Sequence, residues 1–135
     1  MSTFTLDVSK FVDKASKTAD AEVRKICYDL VTGIILKTPV DTGRARANWF
    51  TSIGSPSGSV TASIDPSGSS SISSALSAIS KATGNVLWIT NNLPYIYRLE
   101  FGTYNDGPKT VGGFSRQAPA GMVRVTINDI ARQLR

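Results

Sequence analysis

The feature that most constrains the fold is a long stripe of apolar residues near the start of the chain. From about Ser9 to Lys37 these residues recur at steps of three and four, the period of an α-helix. The stripe widens over Val23–Ile35, which we expect to be the better-buried end. Pro39 ends the helix, because the residue before a proline is pushed out of helical geometry. A break near Thr18–Asp20 is an alternative, since threonine and aspartate are poor helix formers.

Shorter segments with alternating apolar and polar residues predict a small sheet. The alternation indicates strands at about 45–53 and 59–65, and a β-branched and aromatic run indicates a third at 85–91. Residues 51–80 are rich in serine, and Asp65 is their only charged residue. The apolar residues of this stretch keep a regular period, so we expect an ordered insertion rather than a linker.

Helical spacing returns in three later segments, Ser69–Lys81, Leu93–Phe101 and Pro119–Leu134. Between the last two, residues 103–117 are expected to form an exposed loop, of a length that usually serves function or an interface. The sequence therefore predicts a single domain over residues 1–135. Its predicted class is α+β, with a long N-terminal helix and a C-terminal helix packed on a small, mainly antiparallel sheet.

The composition argues against most catalytic chemistry. The chain has no histidine, which excludes Ser-His-Asp triads, Cys-His dyads and histidine-based zinc sites. The single cysteine, Cys27, lies on the apolar face of the long helix and is expected to be a buried, inert thiol. The acidic residues are scattered, without the spacing of a metal site. We expect no catalytic residue, no cofactor and no metal.

The charge pattern bears on the partners. Fifteen basic residues against ten acidic ones give a net charge of +5, which brings nucleic acid into consideration. In the N-terminal helix the two signs alternate, as on a solvated helix face, and the only local basic excess is Lys37, Arg44 and Arg46. A DNA-binding protein of a packaging machinery is therefore kept as an alternative. No apolar run reaches the length of about 18 residues that suggests a membrane span.

The tripeptide Asp41-Thr42-Gly43 matches the motif of aspartic proteases. That chemistry needs two aspartates that share a proton, here one from each subunit of a dimer. Arg44 and Arg46 would keep Asp41 ionised, and no neutral partner is evident, so a turn at the helix exit is the favoured interpretation.

Three sequence blocks carry a resemblance to a known family. Residues 38–49, TPVDTGRARANW, and residues 93–102, LPYIYRLEFG, occur in that order, and residues 115–124, SRQAPAGMVR, follow. This order resembles that of the neck or tail-completion proteins of tailed bacteriophages, including the head–tail joining and minor-tail-protein-Z-like families. With the long helix before them, the blocks extend the resemblance over nearly the whole chain.

The resemblance implies a structural virion protein without enzymatic activity. Several copies would form a ring between a portal, adaptor or head-closure protein on one side and the tail tube or terminator on the other. DNA would pass the lumen only as cargo, and no membrane would be involved. The protein would reside in the virion neck or tail, and in the host cytoplasm during assembly. A tail terminator and a head-closure ring protein are the nearest alternatives.

The sequence predicts two sets of site residues, a structural motif and a subunit interface. The blocks supply a structural motif: Pro39, Asp41, Thr42, Gly43, Arg44, Trp49, Tyr95, Glu100 and Gly102. Within it, Glu100 lies in an otherwise apolar helix and is expected to pair with Arg44 or Arg46, because a buried carboxylate needs a cation or backbone donors. The predicted subunit interface comprises Tyr104, Val111, Phe114, Arg116 and Arg98. In the alternative, Phe114 folds back onto its own subunit.

Overall fold

The first helix, α1, spans Lys17–Lys37 in the computed structural model, which describes residues 4–5, 17–82 and 86–134. It runs without a break through Thr18 and Asp20, and the predicted portion from Ser9 to Ser16 lies outside the described residues. Its buried side chains lie in the C-terminal half, as the widening stripe predicts: Cys27, Leu30, Val31, Ile34 and Ile35.

Three antiparallel strands form the main sheet in the order β1-β3-β2. They span Phe4–Thr5 (β1), Phe50–Ile53 (β2) and Leu87–Asn91 (β3). β2 pairs with β3 so that Phe50 lies opposite Thr90 and Ile53 opposite Leu87. Leu87 and Ile89, two residues apart on β3, are both buried and form the sheet's contribution to the core.

Four further helices and a hairpin complete the described fold. The helices are α2 (Arg44–Ala47), α3 (Ser69–Ser80), α4 (Ile96–Phe101) and α5 (Val123–Gln133). The hairpin joins β4 (Thr110–Val111) and β5 (Phe114–Ser115). The predicted helices at 69–81 and 93–101 and the predicted strand at 85–91 are therefore confirmed, with ends that differ by a few residues; residue 85 lies outside the described residues.

One hydrophobic core joins the helices to the sheet, so the predicted α+β class is confirmed. α3 packs on α1 and on β2, and α5 packs on α1. The α1–α5 crossing is close, because a Cβ on Gly33 would lie 2.7 Å from the Thr126 methyl carbon. Only glycine at this position lets the two helices approach so closely.

Two strand predictions need correction. The strand predicted at 45–53 begins only at Phe50, because the good helix formers Ala45 and Ala47 continue a helical turn that starts at Gly43. Residues 59–65 form no strand. There the backbone bonds to side chains instead of a ladder, with Asn48 bonding both the N–H and the C=O of Thr61 at 2.9 Å.

The predicted C-terminal helix is confirmed, but its start and the description of residues 103–117 need correction. Residues 103–117 are not without secondary structure, since they contain the β4–β5 hairpin. The C-terminal helix begins at Val123 rather than in the turn that holds Pro119. Its start is delayed because Gly121 adopts φ +84° and the carboxylate of Glu100 bonds the first helical N–H groups.

Candidate functional site

The chain leaves α1 through a turn held by the guanidinium of Arg46. This group donates hydrogen bonds of 2.8–2.9 Å to the carbonyl oxygens of Leu36, Thr38 and Pro66. The last carbonyls of a helix have no partner within the helix, so Arg46 caps the C-terminus of α1. The sequence predicted Arg46 as part of a basic excess, as a neighbour of Asp41 and as a possible partner of Glu100, but not as a helix cap; its position just beyond a helix end was the available signal.

Trp49 locks the same turn from inside. Its indole N–H donates to the Thr38 hydroxyl at 2.9 Å, and that hydroxyl donates to the carbonyl of Ile34 at 2.7 Å. Thr38 and Trp49 are both buried. Trp49 thus belongs to the hydrophobic core, and its one polar atom is hydrogen-bonded there.

Gly43 is the pivot of the turn. It adopts φ +98°, and its carbonyl accepts hydrogen bonds from the N–H groups of Asp65 at 2.9 Å and Ala47 at 3.1 Å. A Cβ at this position would lie 2.6 Å from the nitrogen of Pro66, so no other residue fits. Asp41, in contrast, is exposed at the start of the turn.

The other members of the first block flank this pivot. Pro39 is half-buried, and the hydroxyl of Thr42, an exposed residue, accepts from the N–H of Arg44 at 3.3 Å. The Nε of Arg44 donates to the carbonyl of Thr61 at 3.2 Å. Arg44 thus ties the turn to the serine-rich insertion rather than to a carboxylate.

Glu100 is fully buried, as its apolar surroundings predict, but its cation is neither Arg44 nor Arg46. The partner is Arg124, whose Nε lies 2.8 Å from the carboxylate. The prediction went wrong because Arg46 is already engaged by three carbonyls and Arg44 bonds Thr61.

The main role of Glu100 is to cap α5. Its carboxylate accepts hydrogen bonds from the N–H groups of Met122 at 2.7 Å, Val123 at 2.8 Å and Arg124 at 3.1 Å. These are orphan donors at a helix N-terminus, where the helix dipole also favours a negative charge. The Arg124 guanidinium then lies 4.4 Å from the centre of the Phe101 ring.

The predicted interface residues fall into two groups. Tyr104 packs against the core, and the ring of Phe114 lies so close to Gly102 that a Cβ there would be 2.4 Å from it. Gly102, at φ +70°, ends α4 as predicted. Phe114 therefore contacts its own subunit, as the alternative requires. Val111, Arg116 and Arg98 are exposed.

A cleft of about 760 Å³ lies where these elements meet. It draws on all three sequence blocks and on the hairpin between them. Its lining comprises residues 39–45 of the first block, Tyr95 and Leu99 of the second, Tyr104 and residues 108–110 of the hairpin region, and residues 115–117 of the third. Residues that sequence analysis treated separately as turn, helix and loop thus share one concave surface.

Charge in the cleft is mostly positive. Arg44, Lys109 and Arg116 line it, and Asp41 is the only acid in the lining. Burial raises the pKa of the Tyr95 hydroxyl; the charge of Arg44 opposes this shift, while Tyr104 and Asp41 add to it. Tyr95 therefore stays a neutral hydrogen-bonding group in a lining that also holds Arg44, Lys109 and Arg116.

The side-chain amide of Gln117, which lines the cleft, bonds the backbone of Val40 in the same lining. It donates to the carbonyl of Val40 and accepts from the Val40 N–H, both at 2.8 Å, as a paired strand residue would. Nothing in the sequence pattern pointed to Gln117, because a contact across 77 positions leaves no local signal.

Several other expectations concern groups away from the cleft. Cys27 is buried, as predicted, and burial raises the pKa of its thiol to about 11. Among the described residues, no group of three or more potential ligands could hold a metal ion. None of the helices in the described ranges has the combination of length and apolar character needed to cross a bilayer.

Comparison with family models, curated proteins and solved structures finds no match to this chain.

Proposed function

We propose that the chain is a non-enzymatic structural protein of a tailed-phage neck, which works as a homo-oligomeric ring that joins or completes the tail at the head–tail interface. The observation that supports this most is the convergence of the three sequence blocks on one cleft. Blocks shared with neck proteins through a common role would be expected to build a common surface.

The way the blocks are anchored also supports a structural role. Gly43, Glu100 and Gly121 hold positions where close contacts or buried hydrogen bonds leave little freedom. Among the side chains that they frame are two tyrosines and two arginines, residue types that protein interfaces use as anchors. Such a surface suits a subunit that must hold neighbours in a fixed orientation.

The rival functions place different demands on the same residues. An aspartic protease would need Asp41 to meet a second aspartate in a protected site, yet Asp41 is exposed and shares the cleft with Arg44. A DNA-binding protein of the packaging machinery would need a surface dominated by cations that face phosphate, whereas the three cations of the cleft share it with Asp41 and with apolar side chains. A tail terminator or head-closure protein differs only in its neighbours.

Electron microscopy of particles assembled without this protein tests the proposal. Full heads beside separate, finished tails support a joining role, whereas overlong tails assign the chain to tail termination. Normal, infectious particles overturn the proposal. Supplying the wild-type chain in trans is the control, because it must restore complete particles. A gel-shift assay with duplex DNA at physiological salt tests the DNA-binding rival, which predicts a retarded band that weakens steeply with salt.

A further inference from the structure

The cations of the cleft have no acidic partner among the described residues. Ion pairs within the described chain join Lys25 to Asp29, Lys37 and Arg132 to Asp129, and Arg124 to Glu100. None involves Arg44, Lys109 or Arg116. Arg98 is also without one, and its guanidinium lies 5.7 Å from the centre of the Tyr104 ring. Unpaired positive charge is thus concentrated around one concave surface.

Part of the lining of this cleft, which we call its floor, is apolar and aromatic. Pro39, Val40, Leu99 and Pro108 contribute aliphatic surface, and Tyr95 and Tyr104 contribute rings. Its volume of about 760 Å³ lies within the usual range of about 300–1,000 Å³ for concave binding sites. A ligand that fits must therefore carry negative charge for the walls and an apolar group for the floor.

We infer that the cleft binds an extended acidic segment of a different protein, with an aromatic or aliphatic side chain against the floor and carboxylates against Arg44, Lys109 and Arg116. This deepens the proposed function and rests on it, since it names the chemistry by which a ring subunit holds its neighbour. We assign the segment to another protein because the ten acidic residues of this sequence are scattered, with no two of them adjacent.

A nucleic acid fits the cleft less well than such a segment. The prolines and Leu99 of the floor offer apolar contact surface to a side chain and no hydrogen bond to a sugar-phosphate backbone. Guanidinium groups pair with carboxylates in a bidentate geometry, and apolar floors bind side chains of extended peptides. The apolar part of the lining therefore favours a peptide over a polynucleotide.

The test uses the full chain and a fluorescein-labelled peptide of about ten residues in which glutamates flank one phenylalanine. Fluorescence anisotropy at physiological salt measures its affinity, and NMR of the ¹⁵N-labelled chain locates it through the amides of Val40 and Thr110. We expect the peptide to bind at least about fivefold more tightly than one with glutamines in place of the glutamates.

Charge variants connect that affinity to the cleft. The double variant Lys109→Gln/Arg116→Gln should weaken binding by about fivefold or more, because both cations line the site. The control Lys81→Gln removes an exposed cation at the end of α3, outside the cleft, and should change the affinity by less than about twofold. Circular dichroism checks that each variant keeps its fold.

Other results would overturn the inference. These are equal binding of the acidic and glutamine peptides, equal effects of the cleft and control variants, or tighter binding of a duplex oligonucleotide that shifts the same amides. Self-association lost in the double variant would assign the cleft to a second copy instead. The neck-ring proposal is judged separately by particle assembly, so a chain that is needed for complete particles but ignores the peptide refutes this inference alone.

Discussion

The carboxylate of Glu100 and the guanidinium of Arg124 form an ion pair with an N–O distance of 2.8 Å, in which the two partners are unequally exposed. The Glu100 side chain is fully buried, whereas that of Arg124 is 50% exposed. Glu100 also accepts three backbone N–H bonds at the start of α5, so it remains well bonded without the arginine. The pair is thus a helix cap reinforced by a cation.

Glu100→Gln should therefore lower the free energy of unfolding by about 2–4 kcal/mol, because an amide turns one acceptor into a donor that faces N–H groups. Arg124→Met should cost less, about 1 kcal/mol, since its side chain is half exposed. Urea unfolding followed by tryptophan fluorescence measures both. Glu22→Gln, an exposed site on α1, is the control, and a loss at Glu100 no larger than that control would contradict the cap.

Gly121 and Gly54 have nearly the same φ angle and form a matched pair of sites for testing the close contact between Gly121 and Glu100. Their φ angles are +84° and +85°, but a Cβ on Gly121 would lie 2.6 Å from the Glu100 carbonyl oxygen, and one on Gly54 would meet nothing within 4 Å. Gly54→Ala should cost about 1–2 kcal/mol from the left-handed backbone alone. Gly121→Ala should cost about 2 kcal/mol more. If thermal unfolding gave similar losses of stability for the two variants, the backbone around Glu100 would have to move away from the new Cβ at little cost.

Arg46 should stabilise the chain more than an ordinary surface cation. Arg46→Met leaves three carbonyl oxygens without their donor, those of Leu36 and Thr38 at the end of α1 and that of Pro66, which we expect to cost about 1–3 kcal/mol. Arg116→Met removes an exposed guanidinium and should stay within about 0.5 kcal/mol. Urea unfolding compares the two variants, and equal midpoints would mean that water replaces Arg46 without loss.

Asp65 should make the free energy of unfolding depend on pH in the acid range. Burial alone would raise the pKa of its carboxyl, but hydrogen bonds from Ser71, Ser70 and Gly68 outweigh burial and hold the pKa below its usual value. Because the folded pKa is the lower one, the contribution is complete above the unfolded pKa of about 3.9 and is lost as the pH falls through the folded pKa. The stability difference between wild type and Asp65→Asn should therefore shrink on acidification below about pH 4. A difference that is constant from neutral to acid pH would contradict this.

Two hairpin residues separate a role in assembly from a role in folding, if the proposed function holds. Val111 is 44% exposed, so Val111→Asp should leave the melting temperature nearly unchanged but block particle completion. Phe114 covers Gly102, so Phe114→Ala should lower the melting temperature by about 3–8 °C. Complementation with each variant provides the assembly readout. Normal particles with Val111→Asp would remove this residue from the interface.

The spacing of apolar residues predicts burial correctly in two segments. The stripe over Val23–Ile35 lies in the core, and Leu87–Asn91, within the run predicted at 85–91, forms the central strand. It failed at 59–65, where Val60 and Ile64 alternate with polar residues but are exposed. There the side chains of Asn48 and Arg44 bond the backbone, and alternation carries no information about such a partner.

The candidate site also contains residues that the sequence predicts and contacts that it does not. Gly43 and Gly102 were identified correctly because a turn and a helix end each leave a local residue preference. The partner of Glu100 was not, since several arginines were equally plausible in sequence and only the folded arrangement of α4 and α5 brings Arg124 to it. Contacts between distant positions, such as Gln117 with Val40, follow from the completed fold alone.

The cap on α5 also sets an order of events during synthesis. Glu100 leaves the ribosome more than twenty residues ahead of its last donor, Arg124. Until that segment emerges, the carboxylate has none of the partners that permit its burial, so α4 cannot settle into the core with a charged Glu100. The nascent domain must therefore wait for its C-terminal segment before folding is complete, and a chain truncated before Met122 would stay open and accessible to proteases.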